Sequence, residues 1–402
     1  MIPEQSRGNL ETMNTAQRIT LLAEQATALA PWLGPFTAAD LDAWLVDQLG
    51  DASALDAWIP RGGIRSRAVA LEPVLHIISG NTPHAGFQSL IRGLVLGGRQ
   101  RVKLPSTGLP ALESWIASLP APLATLIETA HTLPDAWRDS AAAVIFGDRE
   151  TLEFFRNWCP PETRRIEYGP KISVAVLFAE PDVATFHALA GDILRHDQRG
   201  CLSVQNVLVD AGAIDARAFA ESLATAVDRA RTEFPRPVES LSESGRIRNF
   251  REILRYRAAN GAPITLWESE NSTSWTVVLD ATQAPLLNPT PGGGTVIVRA
   301  FSGTCCGRGA RATESRGGDS LSQSVAGTSY PQPLTPENLG PERAILSTIV
   351  AHPFEDPTTV AHLDPLSPPR VCAPGMAQFP SLFWSHDGTR PLAELVRWRD
   401  LG

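Results

Sequence analysis

The sequence lacks most of the short patterns that announce a function. It has no CxxC pair, no HExxH and no Cys/His cluster at zinc-ligand spacing, so a metal centre is not expected. Its five cysteines are an odd number without framework spacing, which argues against a disulfide scaffold and for free thiols in a reducing cytoplasm. No apolar run approaches the ~20 residues of a membrane span. The opening residues carry no apolar signal-peptide core. Positive charge is also in short supply. Lys and Arg total 35 against 43 Asp and Glu, a net charge of −8, so no basic footprint for nucleic acid is expected. There is no GxGxxG dinucleotide fingerprint.

What remains reads as an ordinary globular chain, 43% hydrophobic and 19% charged over 402 residues, enough for two or three domains. The first ~70 residues read as helical. One helix is expected over "MNTAQRITLLAEQATALAPWL", stopped by Pro31. A second follows Thr37 as N-cap and ends at Gly50.

From Leu71 strands and helices alternate. Strands are expected at Val74–Ser79, Arg101–Pro105, Ala141–Gly147, Lys171–Ala179 and Asn206–Asp210. Helices are expected at Gly86–Gly98, Ala111–Leu119, Leu123–Leu133, Asp148–Trp158, Asp182–Leu194 and Ile214–Phe234. That alternation is the signature of an α/β protein with a largely parallel sheet. Further on, "TVVLD" and "GTVIVRAF" read as strands around a "NPTPGGG" turn. "GPERAILSTIVAHP" and "PLAELVRW" read as helices, and the Gly/Arg/Ser-rich stretch 303–333 as a mobile loop.

Ligands of open α/β sheets gather at the carboxyl ends of the strands. Asn81 follows one predicted strand and Lys103 lies near the end of the next, so both can approach one ligand. Glu167 precedes a glycine turn, and Cys201 follows after one strand and one helix. That spacing allows the chain to return to the same sheet edge and face Glu167.

Together these segments carry a resemblance. "SGNTPHAG" with "VKLPS", "EYGPK", "GCLSVQ" and the closing "PPRVCAPGMAQFPSLFWSHDG" are similar to motifs of the LuxC-type acyl-CoA reductases, within the aldehyde dehydrogenase superfamily. The resemblance covers roughly Leu71 to Trp398. It implies an aldehyde-dehydrogenase-like α/β fold, with a Rossmann-like cofactor domain over 1–170, completed by 366–402, and a catalytic domain over 171–365. It further implies that Cys201 is the nucleophile, that Asn81 and the Cys201 backbone N–H hold the oxyanion, and that Glu167 stands where the superfamily has its general base. Lys103 matches the lysine on the cofactor's adenosine ribose, and Gly147 would open a helix facing the pyrophosphate. Ser106 replaces a glutamate that many NAD-selective relatives carry. With Arg99 and Arg101 nearby, it favours NADPH.

The expected activity is reduction of a long-chain fatty acyl-CoA or acyl-carrier thioester to the aldehyde by a homo-oligomer. Two alternatives are an acylating aldehyde dehydrogenase working oxidatively and a cofactor-free acyl-binding or acyl-transfer protein. One departure stands out: the superfamily's Glu-x-Phe-Gly-Pro segment, whose glutamate contacts the nicotinamide ribose, has no match here. His84 and His196 read as structural, His386 as structural or at an interface, and Cys305 and Cys306 as non-catalytic.

Overall fold

A computed structural model describes residues 13–237, 240–303 and 331–402. Most of the 303–333 stretch, with Cys305 and Cys306, lies outside the described residues. The chain divides into two units, one of 1–170 with 379–402 and one of 171–378. Residues 366–378, expected with the first, belong to the second.

The first unit opens with helices α1 (Thr15–Ala23), α2 (Ala26–Leu33) and α3 (Ala38–Leu49). The single helix expected before Pro31 is two, broken at Glu24, and Pro31 lies inside α2. α3 is bounded as expected. Thr37 and Asp40 form a reciprocal capping box, and Gly50 closes the helix at φ 87°. Strands β1 (Ile59–Arg61) and β2 (Ile64–Ala70) form an antiparallel sheet with the last strand, Val396–Leu401. That last strand corrects the helix expected over "PLAELVRW": its residues pair with β2 in unbroken register, and the partner is too distant in sequence to be anticipated.

β3 (Val74–Ile77), α4 (Pro83–Leu96), β4 (Gln100–Lys103), α5 (Pro110–Ser118), α6 (Ala121–Ala124), β5 (Ile127–Ala130), β6 (Ala142–Phe146), α7 (Arg149–Trp158) and β7 (Arg164–Tyr168) build a parallel five-stranded sheet. Its order is β5-β4-β3-β6-β7. The helix expected over Leu123–Leu133 is the single turn α6 followed by β5. Chain order runs outward from β3 to β5 on one side and from β6 to β7 on the other. The boundary between β3 and β6 is therefore the topological switch point, where such sheets open a crevice. β3 and β6 are buried throughout, as expected of central parallel strands covered on both faces. α4 is buried along nearly its whole length and carries Leu90, Ile91, Leu94 and Val95 into the main core. His76, at the sheet centre, lies between Ser89 Oγ and Gln100 Oε1, each at 2.7 Å. Complete burial lowers its pKa to about 4.

The second unit contains β8 (Ile172–Leu177), α8 (Val183–Leu194), β9 (Val204–Asp210), α9 (Ala216–Ala230), α10 (Leu241–Ala259), β10 (Ile264–Glu268), β11 (Thr276–Asp280), β12 (Thr295–Ser302), β13 (Gln332–Pro333), β14 (Leu346–His352), α11 (Pro357–Leu363) and β15 (Arg370–Cys372). The sheet order is β10-β11-β12-β9-β8-β14-β15, with β13 beside β12. Every pairing is parallel except β10 with β11. α8 and α9 cover one face through Leu189, Ile193, Phe219, Leu223 and Val227. Leu286, Leu287, Leu334, Leu339 and Leu363 cover the other. The segment expected to restore a helix at "AILSTIV" is β14: short apolar runs fit a buried strand as well as a helix, and here β8 and β15 claim its backbone.

Candidate active site

At the switch point of the first unit a cavity of about 620 Å³ opens. Ile77 and Ile78 at the end of β3, Lys103 at the end of β4, and Phe146 and Gly147 at the end of β6 line it, together with Asn81 and Ser106. Four residues singled out from sequence, Asn81, Lys103, Ser106 and Gly147, thus share one wall-lined space. The reason is topological: parallel strands all point their carboxyl ends the same way.

Two glycines stand where a side chain would not fit. A Cβ on Gly147 would lie 2.5 Å from Thr151 Cγ2, in the first turn of α7. A Cβ on Gly80 would lie 2.9 Å from Thr107 Oγ1. Glycine at both points therefore lets the backbone pack against these side chains where a Cβ would clash. The volume lies within the range of small-molecule sites, and Lys103 supplies a cation. These features fit a nucleotide.

Other features of the wall are acidic. Asp148 caps α7 by accepting the Thr151 N–H at 2.8 Å, and these Thr151 bonds hold its carboxyl below the ordinary value. Glu150 also lines the cavity. The helix N-terminus expected to face a pyrophosphate already carries a carboxylate of its own. Arg99 and Arg101, expected to support a 2′-phosphate near Ser106, do not line the cavity. Arg99 lies at the start of β4, facing Glu72, and Arg101 pairs with Asp139 and Glu128.

Glu167 sits on β7, at the edge of the same sheet, outside the cavity lining. Its carboxylate takes three hydrogen bonds from Arg156, with distances of 2.5 to 3.1 Å. It belongs to the first unit's sheet and Cys201 to the second unit, so the common sheet edge expected for the pair is not formed.

Cys201 is half-buried in the turn between α8 and β9. This is the amino-terminal edge of the second sheet, where the strand-end rule that located Asn81 and Lys103 does not look. The turn is built under constraint. His196, Asp197 and Gln198 all adopt left-handed φ, between 52° and 59°, a conformation that costs an L-residue about 1–2 kcal/mol. Buried Asp197 offsets that cost by bridging Arg231 and Arg236, each at 3.2 Å. The Gln198 side chain donates to the carbonyls of Val204 and Thr295 and accepts the Thr295 N–H. Downstream, Ser173 Oγ donates to the Cys201 carbonyl at 2.8 Å, and Gln378 Nε2 donates to Ser203 Oγ at 3.0 Å.

Sequence reasoning gave no role to Ser173, Asp197 or Gln378, although Gln378 lies inside the quoted closing motif. Ser173 and Gln378 lie on chain segments remote from Cys201, and no spacing signals their contacts with its turn. His84 is buried in α4, and His386 stacks on Trp384 with ring centroids 4.5 Å apart, both in keeping with a structural reading. Among the described residues no His/Cys/Asp/Glu group could hold a metal, and no helix is long and apolar enough to cross a membrane.

A family model described as acyl-CoA reductase (LuxC) matches residues 6–305. Two curated relatives are long-chain acyl-protein thioester reductases. The one from Aliivibrio fischeri is 27% identical over 40% of this chain and 36% of its own length. The one from Vibrio harveyi is 27% identical over 40% and 36%. The matched segments thus span little more than a third of those relatives. Among solved structures, an NAD-dependent benzaldehyde dehydrogenase from Corynebacterium glutamicum superposes with a TM-score of 0.60 at 15% identity, covering 97% of this chain and 86% of that one. The fold is therefore that of the aldehyde dehydrogenases.

Proposed function

Because the chain belongs to the LuxC acyl-CoA reductase family, we propose that it reduces an acyl thioester to an aldehyde through a thioacyl-enzyme on Cys201. The observation that carries this reading is the convergence of Asn81, Lys103, Ser106 and Gly147 on one cavity at the sheet switch point. The names of the curated relatives support the substrate class.

Cys201 Sγ attacks the thioester carbonyl and forms the new C–S bond, and the donor thiol leaves. A thioester-linked acyl group is a good acceptor because sulfur donates little into the carbonyl. Asn81 is proposed as the side-chain donor to the oxyanion, with the Cys201 backbone N–H as the second. One such donor is typically worth ~2.7–4 kcal/mol in the transition state. When bound, a nicotinamide cofactor supplies the hydride. Lys103 is assigned to its adenosine ribose, and Gly80 and Gly147 leave room for its backbone-contacting parts. The thiohemiacetal then releases the aldehyde and returns Cys201. Reduction needs no base for hydrolytic water, which is consistent with a Glu167 carboxylate engaged by Arg156. NADPH is proposed over NADH on one feature, the uncharged Ser106, since Arg99 and Arg101 are committed elsewhere. Long-chain acyl-CoA or an acyl carrier is the proposed donor, and a homo-oligomer in the cytoplasm the proposed setting.

A second reading, an acyl-transfer protein without reduction, is favoured by the Asp148 and Glu150 carboxylates on the cavity wall. Two measurements separate them. Incubation with acyl-CoA and no cofactor, followed by mass mapping, should place the acyl group on Cys201; an adduct on another residue overturns the mechanism. NADPH or NADH should raise the melting temperature. If neither does, the reductase reading fails.

A further inference from the structure

α10 carries five arginines against two glutamates, in a chain whose net charge is −8. One side of the helix is committed to the sheet. Leu254 packs with Ile264, Val278 and Ile297. Buried Arg251 donates to the Ser272 carbonyl at 2.6 Å, the Trp275 carbonyl at 2.8 Å and Thr276 Oγ1 at 2.9 Å. These bonds fix the helix on its unit.

The opposite side has another character. Arg246, Asn249, Ile253, Tyr256 and Arg257 recur at helical spacing and so form one stripe. All five are exposed, Ile253 by 51% and Tyr256 by 72%. Neither Arg246 nor Arg257 has an ion-pair partner among the described residues, and both glutamates of the helix are engaged elsewhere. Glu252 pairs with Arg255, which also reaches Glu268. Glu243 pairs with Arg199. The stripe therefore presents uncompensated positive charge around two apolar side chains. One exposed apolar residue would need no explanation. An aromatic and an aliphatic side chain framed by arginines have the composition of an interaction surface.

The helix also starts beside the Cys201 turn. Ser240 and Glu243 form a reciprocal cap at its first turn. Arg199 Nη2, two residues before Cys201, donates to Glu243 Oε1 at 3.0 Å. Ile253 stands ten residues further along, about 15 Å of helix rise. A body seated on the stripe thus lies along a helix that is tied at its start to the turn holding the proposed nucleophile.

We propose that this face of α10 docks the acidic protein that delivers the acyl group, an acyl carrier whose thioester is passed to Cys201. The proposal rests on the reading of Cys201 as the acceptor of an acyl thioester. It goes beyond that reading by naming the class of donor and the surface that receives it. Charge selects the occupant. The chain is net negative although α10 is net positive, so an acidic partner is repelled by the rest of the molecule and steered to this helix.

The test uses the full chain and a purified acidic acyl carrier protein loaded with a palmitoyl group, with palmitoyl-CoA as the parallel donor. Mass spectrometry follows transfer to Cys201, and fluorescence anisotropy of the labelled carrier follows binding. The double variant Arg246→Glu with Arg257→Glu should weaken carrier binding and slow transfer from the carrier by about tenfold or more, while transfer from palmitoyl-CoA stays within about twofold of the wild type. Ile253→Ser should weaken carrier binding several-fold. Rising salt should weaken it as well, because exposed charges are screened. Equal losses with both donors overturn the proposal, since the arginines then serve the coenzyme or the fold. Unchanged carrier binding in the double variant overturns it too. So does a smaller oligomer in light scattering, which assigns the face to a second copy of the chain. Phosphatidylglycerol vesicles that bind the wild type and not the double variant, with carrier binding unchanged, assign the face to lipid instead. If the double variant does not fold, Arg246→Gln with Arg257→Gln decides on the same comparison of donors, with a loss of about threefold or more expected for the carrier alone. Failure of both donors to label Cys201 removes the acyl-thioester reading, and the anisotropy measurement still decides the docking surface.

Discussion

The Ser173 hydroxyl donates to the Cys201 carbonyl over 2.8 Å. The hydroxyl stands at the start of β8, so the turn that carries the sulfur is tied to the most central parallel strands of its unit. Ser173→Ala should remove about 0.5–1.5 kcal/mol of stability. It should slow acyl transfer to Cys201 several-fold, since a shifted nucleophile loses its approach geometry. Guanidinium denaturation and single-turnover labelling measure the two effects.

Gly147 is required by space rather than by φ. A side chain there meets Thr151 within 2.5 Å. Gly147→Val should weaken nucleotide binding by at least about tenfold while Cys201 still accepts an acyl group from acyl-CoA. Isothermal titration of NADPH and mass-detected acylation, made on the same preparation, check the split. Loss of both in a folded variant would place the cavity in acyl transfer instead.

Ser106 tests cofactor choice. A carboxylate there would repel a 2′-phosphate and accept a hydrogen bond from a 2′-hydroxyl. Ser106→Glu should raise the ratio of the NADPH to the NADH dissociation constant by about tenfold or more. An unchanged ratio would remove this position from cofactor discrimination.

Two buried groups give opposite pH dependences. Burial raises the Asp192 carboxyl from 3.8 to about 7, against the opposing pull of two backbone N–H bonds and of Arg370 and Arg195. The folded state therefore binds the extra proton, so this contribution is full below pH 3.8 and is lost as pH rises through about 7. His76 runs the other way. Its pKa is lowered from 6.5 to about 4, so its contribution is present above pH 6.5 and is lost as pH falls towards 4. Denaturation midpoints across pH 4–8 should fall towards both ends. Asp192→Asn should flatten the alkaline side alone. It should also lower the overall level, because an amide nitrogen cannot accept the second N–H. An unchanged alkaline slope would count against Asp192 as its source.

The misreadings of secondary structure share one cause. "LSTIVAH" and "VRWRDL" are short segments whose state is decided by a partner strand far away in sequence, β8 for one and β2 for the other. α10 shows little apolar periodicity, its apolar residues being interrupted by five arginines and two glutamates, yet its Ser240–Glu243 capping box is a local start signal. Lys103 and Gly147 were legible because they stand at the ends of β4 and β6, and parallel strands must deliver their ends to one place. Arg99 and Arg101 were misplaced for the complementary reason: proximity in sequence to Ser106 says nothing about which end or face of β4 a side chain serves.

By itself the sequence determined the alternating α/β class, the cluster of residues at the first sheet's carboxyl edge and the identity of the candidate nucleophile. Those follow from local periodicity, strand polarity and short motifs. Only the tertiary structure decided what surrounds Cys201. Its turn is held by Asp197, Gln198 and Ser173, and Gln378 ties Ser203 to the segment after β15. Those contacts join segments that no local rule relates, because their register is set by the order of β9, β8, β14 and β15 in one sheet.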